Sequence, residues 1–413
     1  MRRNDALDGL RGVAALTVVV FHAWLYTRAD VRAVGADGAL DRALGEMRVG
    51  LVLFFVLSGF LLFRPWVRAR LGKAAGGSAA DGGEAREPLP DLARGPRLAT
   101  YAIHRIGRIV PAYYVAIAGS ALLLWPLAGE PGVRLPPLEQ LPLFLVFAQN
   151  QSAQTVMTLD PPMWTLAVEA SFYALLPALG WIALRARPTR LGQSIVPLTL
   201  LAAGVVFNAL LARQALPSMT LSKSLPAMAP YFGLGMLAAV LVHGRTPDRR
   251  GALALLAGGA ALVLADAWVH SSLVSGSDLA LRMRVIRDLP AAVGFAALVA
   301  VAATTAPRAL AWRPLAWTGV VSYGLYLWHV PMLLVLRANG LLPASTLAAT
   351  AIDLPLSLLL GWLSFRLIER PAINWSRRTR LLGANREQRV RTPAPRSDAS
   401  ARGRTPSMAR ASC

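Results

Sequence analysis

Residues 7–24 read LDGLRGVAALTVVVFHAW, an apolar run with Asp8 and Arg11 near its start and His22 deep inside it. Arg11 and His22 are eleven residues apart, and three turns of an α-helix take about 10.8 residues. Both side chains therefore share one helix face, about 16 Å apart along the axis. Polar groups at that depth are costly, so we expect a functional site facing the interior of a helix bundle. The alternative is an anchoring arginine with an incidental buried histidine.

The whole chain has the composition of a membrane protein. Of its 413 residues 55% are hydrophobic and only 16% are charged, and the apolar residues come in runs of the length that crosses a bilayer. The net charge of +21 lies in short loops and in the tail, without a basic stripe that would indicate a nucleic-acid partner. The single cysteine, Cys413, excludes a disulfide framework and a thiolate metal site. We expect no bound metal or cofactor.

The apolar runs predict an all-α, polytopic membrane helical bundle of about ten transmembrane helices. The positions of the arginines place both termini in the cytoplasm, and we expect the protein in the plasma or inner membrane. A ten-residue run at 138–147 is too short to cross and is predicted to be re-entrant or to lie at the surface. The predicted spans are residues 10–26, 49–66, 101–125, 161–184, 195–211, 225–242, 251–269, 289–305, 315–336 and 345–367.

The predicted domain organisation is one membrane domain, residues 1–375, followed by a tail. A stretch rich in glycine, alanine and proline, residues 72–96, is predicted to be a flexible cytoplasmic linker within that domain. The tail, residues 376–413, is rich in arginine and is predicted to be disordered, cytoplasmic and able to lie against anionic lipid.

Three polar side chains enter the spans near the predicted outer surface. His22, Glu169 and His329 are each predicted to lie roughly 9–12 Å below it. Two imidazoles and a carboxylate at one depth can form a general base with an orienting partner. The alternative is three independent helix-packing contacts.

The predicted inner ends of the helices carry arginines at helical spacing. Arg105 and Arg108 share a face, and so do Asp8 and Arg11. Guanidinium groups match phosphate oxygens well, although anchoring at the inner leaflet would use the same residues. A donor with a phosphorylated head and a long arm would join the arginines to His22 through a wet polar channel. Acyl-coenzyme A has this shape, and a lipid-linked phosphate fits almost as well.

Six motifs follow one another along the chain. They are Arg11 with His22, FFVLSGFLL at 54–62, HRIGRIVPAYY with Arg105, Arg108 and Pro111, MWTLAVEASFYALLP with Trp164 and Glu169, SYGLYLWHVP with Tyr323 and His329, and RLIERP at 366–371. In this order they resemble the motifs of the acyltransferase-3 family of integral membrane acyltransferases. The resemblance covers about residues 5–375 and implies a ten-helix enzyme that moves an acyl group from acyl-coenzyme A to a hydroxyl.

The resemblance implies that Arg11 and His22 are essential and that Arg105 and Arg108 contact the donor. With it, the predicted function is a membrane O-acyltransferase that acts on a carbohydrate, glycolipid or polyketide hydroxyl, with His22 as general base. The predicted catalytic residues are His22, Glu169 and His329, and the predicted substrate-binding residues are Asp8, Arg11, Arg105, Arg108, Trp164 and Tyr323.

Several points stay open at this stage. The residues do not choose between Glu169 and His329 as the group that orients His22 or polarises the acceptor. Some family members carry a fused extracytoplasmic hydrolase-like domain, whereas this chain ends in a basic tail, so we expect it to act alone or with a separate extracytoplasmic partner. A proton-coupled transporter of an anionic metabolite and a non-catalytic membrane scaffold are the rival functions.

Overall fold

The computed structural model describes residues 4–28, 38–74, 98–213, 219–272, 288–376 and 378. Within these ranges the chain is helical, and turns and short 3₁₀ segments connect the helices. The α-helices are α1 (Asp5–Tyr26), α2 (Ala39–Glu46), α3 (Gly50–Ala74), α4 (Leu98–Leu124), α5 (Pro142–Leu145), α6 (Trp164–Arg185), α7 (Arg190–Ala212), α8 (Met219–Ser222), α9 (Leu225–Leu241), α10 (Arg249–Ser272), α11 (Leu289–Thr305), α12 (Arg313–Ala338) and α13 (Thr346–Ser364).

The predicted membrane spans are all helical. Nine helical segments in the described part of the chain are long and apolar enough to cross a bilayer. The tenth predicted span is α11, an apolar helix of 17 residues, which is at the lower limit of the length that spans the hydrocarbon core. The predicted polytopic helical bundle is therefore confirmed, and the orientation of its termini stays a prediction.

The short apolar run at 138–147 does not cross the bundle. It folds as a 3₁₀ turn, Leu138–Gln140, and the single-turn helix α5. Phe147 then adopts a positive φ of 58° and ends the run. A segment of this length cannot satisfy its backbone groups across a bilayer, which is why it stays at one end.

Two described helices extend past predicted domain boundaries, and the domain organisation itself stays a prediction. Helix α3 continues to Ala74, beyond the predicted start of the linker at residue 72. The last helical segment includes Ser376, which is 2% exposed and was predicted to begin the tail. A Cβ on Gly107 of α4 would meet the Ser376 side chain, so contact with α4 holds this end of the helix. The other residues of the predicted linker and tail, 75–96, 377 and 379–413, lie outside the described residues.

Glycines allow a close helix crossing between α1 and α12. A Cβ added to Gly319 of α12 would overlap the carbonyl oxygen of Asp8, and one added to Gly12 would overlap that of Leu315. Small residues let two backbones approach in this way inside a membrane, where packing rather than the hydrophobic effect drives helix association. Helices α1 and α12 pack together over most of their length. This packing brings His22 into contact with His329.

We expect Gly319→Ala to destabilise the protein, because its Cβ meets backbone atoms that have no side-chain freedom. Overpacking typically costs about 1–3 kcal/mol. Thermal melting in detergent, followed by size-exclusion chromatography, measures the loss. Gly258→Ala on α10 is the matched control, because no atom lies within 4 Å of its added Cβ. Equal melting temperatures for both variants would contradict the assigned crossing.

A second packing centre lies between α3, α6 and α9. The rings of Phe172 and Phe232 stack with their centroids 4.0 Å apart, and Phe55 contacts Phe232 at 4.9 Å. All three rings are buried. This aromatic centre holds α3, α6 and α9 together. Helices α1, α12 and α13 pack against one another, and α4 contacts α12.

Candidate active site

A cavity of about 300 Å³ lies between α1, α3, α4, α6 and α12. It has an unusual number of polar side chains for the interior of a membrane bundle. Five of the nine predicted site residues line it: Arg11, Arg105, Arg108, Glu169 and Tyr323. The other polar side chains in its wall are Ser58, Thr165, Tyr173, Ser322 and Tyr326.

Arg105 and Arg108 line the cavity together, one turn apart on α4. The Arg105 guanidinium lies 5.9 Å from the ring centroid of Tyr101 and 5.8 Å from that of Tyr173, and Arg108 is exposed at the surface. Among the described residues, neither arginine forms an ion pair with a carboxylate. Their positive charge is therefore available to an anion.

Arg11 adds a third guanidinium to the cavity from α1. Its Nη1 donates to Oδ1 of Asp8, 3.1 Å away and one turn earlier on the same helix. Asp8 is buried and does not line the cavity. Its carboxylate therefore binds Arg11 from outside the cavity wall. The bond leaves most of the five guanidinium N–H donors of Arg11 for a ligand.

Glu169 lies in the cavity with the arginines. Ser58 Oγ on α3 donates to Glu169 Oε1 at 2.7 Å, which links α3 to α6. The predicted grouping of Glu169 with both imidazoles is therefore only partly present. The structure brings His22 and His329 together and places Glu169 with Ser58.

His22 and His329 form a hydrogen-bonded pair between α1 and α12. His329 is 0% exposed, and its Nε2 lies 3.1 Å from His22 Nδ1. Each Nδ1 also faces a backbone carbonyl of its own helix, Val18 O at 2.9 Å for His22 and Tyr326 O at 2.8 Å for His329. Because a carbonyl only accepts, these contacts assign a hydrogen to both Nδ1 atoms.

The assigned tautomers make His22 the available base. His329 Nε2 has no hydrogen and accepts from His22 Nδ1–H, which Val18 O shares. His22 Nε2 then carries the free lone pair, and it makes no hydrogen bond to the described residues. The ring of His22 is held in place while its basic nitrogen stays available to a substrate.

Tyr326 separates the cavity from the imidazole pair. Its side chain lines the cavity, and its ring centroid lies 5.6 Å from that of His329. Its hydroxyl donates to Pro162 O at 2.9 Å and lies 2.7 Å from Thr165 Oγ1. Neither histidine lines the cavity. The predicted channel from Arg11 to His22 is thus open only as far as Tyr326.

A comparison with models of protein families matches residues 4–366 to the acyltransferase-3 model, which is described as an acyltransferase domain. The chain belongs to this family. The match contains every predicted site residue. It also contains all of the predicted transmembrane spans apart from residue 367, the last residue of the final span. The protein is thus a multi-pass membrane acyltransferase, an enzyme rather than a carrier or scaffold. No curated protein and no solved structure matches the chain.

Trp164 of the acyltransferase lies outside the cavity wall. The ammonium of Lys223 lies 4.1 Å from the centroid of its indole ring, and Lys223 also acts electrostatically on His22. The contact with Trp164 therefore holds the positive charge of Lys223 near the imidazole pair. Substrate-binding roles for Trp164 and for Asp8 stay predictions.

Several polar residues of the acyltransferase cavity were not predicted from the sequence. Thr165 and Tyr173 stand four residues before and after Glu169, and Tyr326 stands three before His329. Residues at these spacings share a helix face, so the periodicity contained a usable signal. The sequence signal for Ser58 was weak, because this residue is a single hydroxyl in the middle of an apolar run.

Asp160 is a further buried acid beside the acyltransferase site. It is 1% exposed, and neither carboxylate oxygen has a hydrogen-bond partner among the described residues. Burial raises the pKa of this carboxyl well above its ordinary value, because desolvation penalises the charged form. It acts electrostatically on Tyr26 and Tyr326, whose rings adjoin the imidazole pair.

Proposed function

We propose that this acyltransferase moves an acetyl or other short acyl group from acyl-coenzyme A to a hydroxyl of a carbohydrate, glycolipid or polyketide. One observation carries the proposal: one cavity is lined by three guanidinium groups, two of them without an ion pair among the described residues, and also by Tyr326, whose ring contacts His329 of the His22–His329 pair. Such a cavity suits an anionic donor with its reactive group remote from its charge. We place the enzyme in the plasma or inner membrane.

The arginines would hold the donor through its phosphates. Arg–phosphate contacts are charge-assisted and often bidentate, so they fix orientation as well as affinity. A cavity of about 300 Å³ is at the small end for a ligand site, so it suits the pantetheine arm and the acyl thioester. The nucleotide would remain outside, near the exposed Arg108, at the end predicted to face the cytoplasm.

His22 Nε2 would act as general base on the acceptor. It removes the hydroxyl proton as the oxygen attacks the thioester carbonyl, and the tetrahedral intermediate then expels the coenzyme A thiolate, which takes the proton back. Such a base typically contributes about 10²–10⁴-fold. His329 would orient His22, and Glu169 would bind the arriving substrate inside the cavity. Rotation of the Tyr326 side chain would let the two reactants meet.

We expect His329→Gln to lower kcat by about tenfold or more, but by less than loss of the base itself. The reason is that the flexible glutamine amide, although it can accept a hydrogen bond, holds the His22 ring less rigidly than the imidazole of His329 does. The KM for acyl-coenzyme A should stay within about twofold, since His329 does not line the cavity. Steady-state kinetics measure both values. His243→Gln is the matched control, outside the cavity wall, and an equal loss in both variants would contradict the orienting role.

The test of the proposed function is acceptor-dependent loss of the thioester. Purified protein in lipid nanodiscs receives acetyl-coenzyme A and a cell-envelope extract, and the released thiol and the acetylated product are measured. Comparing metabolites of a deletion strain with its parent should show one missing acyl mass. If the thiol appears only when a soluble extracytoplasmic fraction is added, a separate partner protein is required. No release with any acceptor fraction would contradict the proposal.

A further inference from the structure

A second polar cluster lies away from the cavity, where α10 meets α11. Asp266 and His270 stand one turn apart near the end of α10, and Asp288 directly precedes α11. One oxygen of each carboxylate and one imidazole nitrogen all lie within 4.8 Å of one another. None of the three residues lines the cavity, so the proposed acyl transfer does not explain them.

Asp266 is a buried carboxylate that accepts no hydrogen bond from the part of the chain that the structure describes. It is 3% exposed, and neither of its oxygens has a hydrogen-bond partner among the described residues. His270 Nδ1 lies 3.5 Å from Oδ2, but that nitrogen already faces the Asp266 carbonyl at 2.9 Å. His270 Nε2 is likewise buried without a partner in the described ranges. Orphaned groups like these are costly in an apolar span unless something binds them.

The charges around the cluster leave room for a cation. Asp288 accepts from Arg48 Nη1 at 2.8 and 3.0 Å, and Arg48 Nη2 donates to Glu46 at 2.7 Å. Counted over these described residues with His270 neutral, three carboxylates with one guanidinium leave a net charge of −2. A divalent cation would neutralise the cluster.

We propose that Asp266, His270 and Asp288 bind a divalent transition-metal ion such as Zn²⁺ or Mn²⁺. Imidazole favours such ions, whereas Mg²⁺ and Ca²⁺ prefer oxygen ligands alone. The ion takes the orphaned Asp266 oxygens and His270 Nε2 as ligands, and Asp288 can keep its bond to Arg48. It joins α10 to α11 and, through Arg48, to the start of α3. Its role is to stabilise the fold, independently of the acyl-transfer proposal.

The test measures metal content and thermal stability. Protein purified without a polyhistidine tag is stripped with EDTA and dialysed against ZnCl₂ or MnCl₂. We expect about one ion per chain by mass spectrometry and a melting temperature raised by about 3 °C or more. Asp266→Asn should weaken binding at least about tenfold, as even outer-shell changes at metal sites do. Asp248→Asn, on an exposed residue at the other end of α10, is the matched control.

Folding of the variant does not limit the test. Asp266→Asn removes a buried negative charge, so it should fold at least as well as the wild type without metal; His270→Gln offers a second loss of a ligand. Wild-type protein that retains neither ion, or variants that bind as well as the wild type, would overturn the proposal. The cluster would then be a carboxylate–imidazole contact within a network of ion pairs.

Discussion

Replacing His22 with alanine is expected to lower kcat by about 10²–10⁴-fold, the contribution of a general base. The imidazole pair has only one nitrogen with a free lone pair, His22 Nε2, and no other residue in the pair replaces it. Thiol release from acetyl-coenzyme A in nanodiscs measures the loss. The variant should insert normally, and its melting temperature should fall moderately, because the buried His329 Nε2 loses its hydrogen-bond donor.

The comparison with His329→Gln makes the result specific. If His22 is the base and His329 orients it, the alanine variant loses more activity than the glutamine variant. The reverse order would make His329 the base and require a different assignment of the tautomers. Full activity in His22→Ala, with normal membrane insertion, would refute the proposed mechanism.

The double variant Arg105→Ala/Arg108→Ala is expected to raise the KM for acyl-coenzyme A by about 10²-fold or more. A hydrogen bond to a charged group contributes about 1.5–3 kcal/mol, and each 1.4 kcal/mol is a factor of about ten in affinity. Neither arginine forms an ion pair in the described ranges, but Arg108 acts electrostatically on the buried Glu369, so the melting temperature of the variant is measured alongside its KM. The value of kcat should change much less.

Two controls separate phosphate binding from a general structural effect. Arg64→Ala removes a guanidinium that does not line the cavity, and its KM should match the wild type. Acetyl-pantetheine lacks the nucleotide phosphates, so wild type and the double variant should use it equally well. A similar loss with this phosphate-free thioester would show that the arginines shape the cavity and do not bind phosphate.

The amino-acid sequence by itself determined the spans and the type of chemistry. Apolar runs of bilayer length must form helices, because a lipid environment leaves backbone groups no other partners. Helical periodicity placed Arg105 beside Arg108, and Asp8 beside Arg11, since residues three apart share a face. Those local relations hold in the structure, and all three arginines line one cavity.

Contacts between distant helices were decided only by the tertiary structure. Depth in the membrane suggested that His22, Glu169 and His329 lie together, but depth does not specify which helix faces are in contact. The close crossing of α1 and α12 at their glycines brings the two histidines into contact. The packing of α3 against α6 instead brings Glu169 within hydrogen-bond distance of Ser58. The cluster of Asp266, His270 and Asp288 likewise joins the end of α10 to the residue that precedes α11. Helical periodicity predicts which residues share a face of one helix, whereas side-chain packing determines which other helix that face contacts.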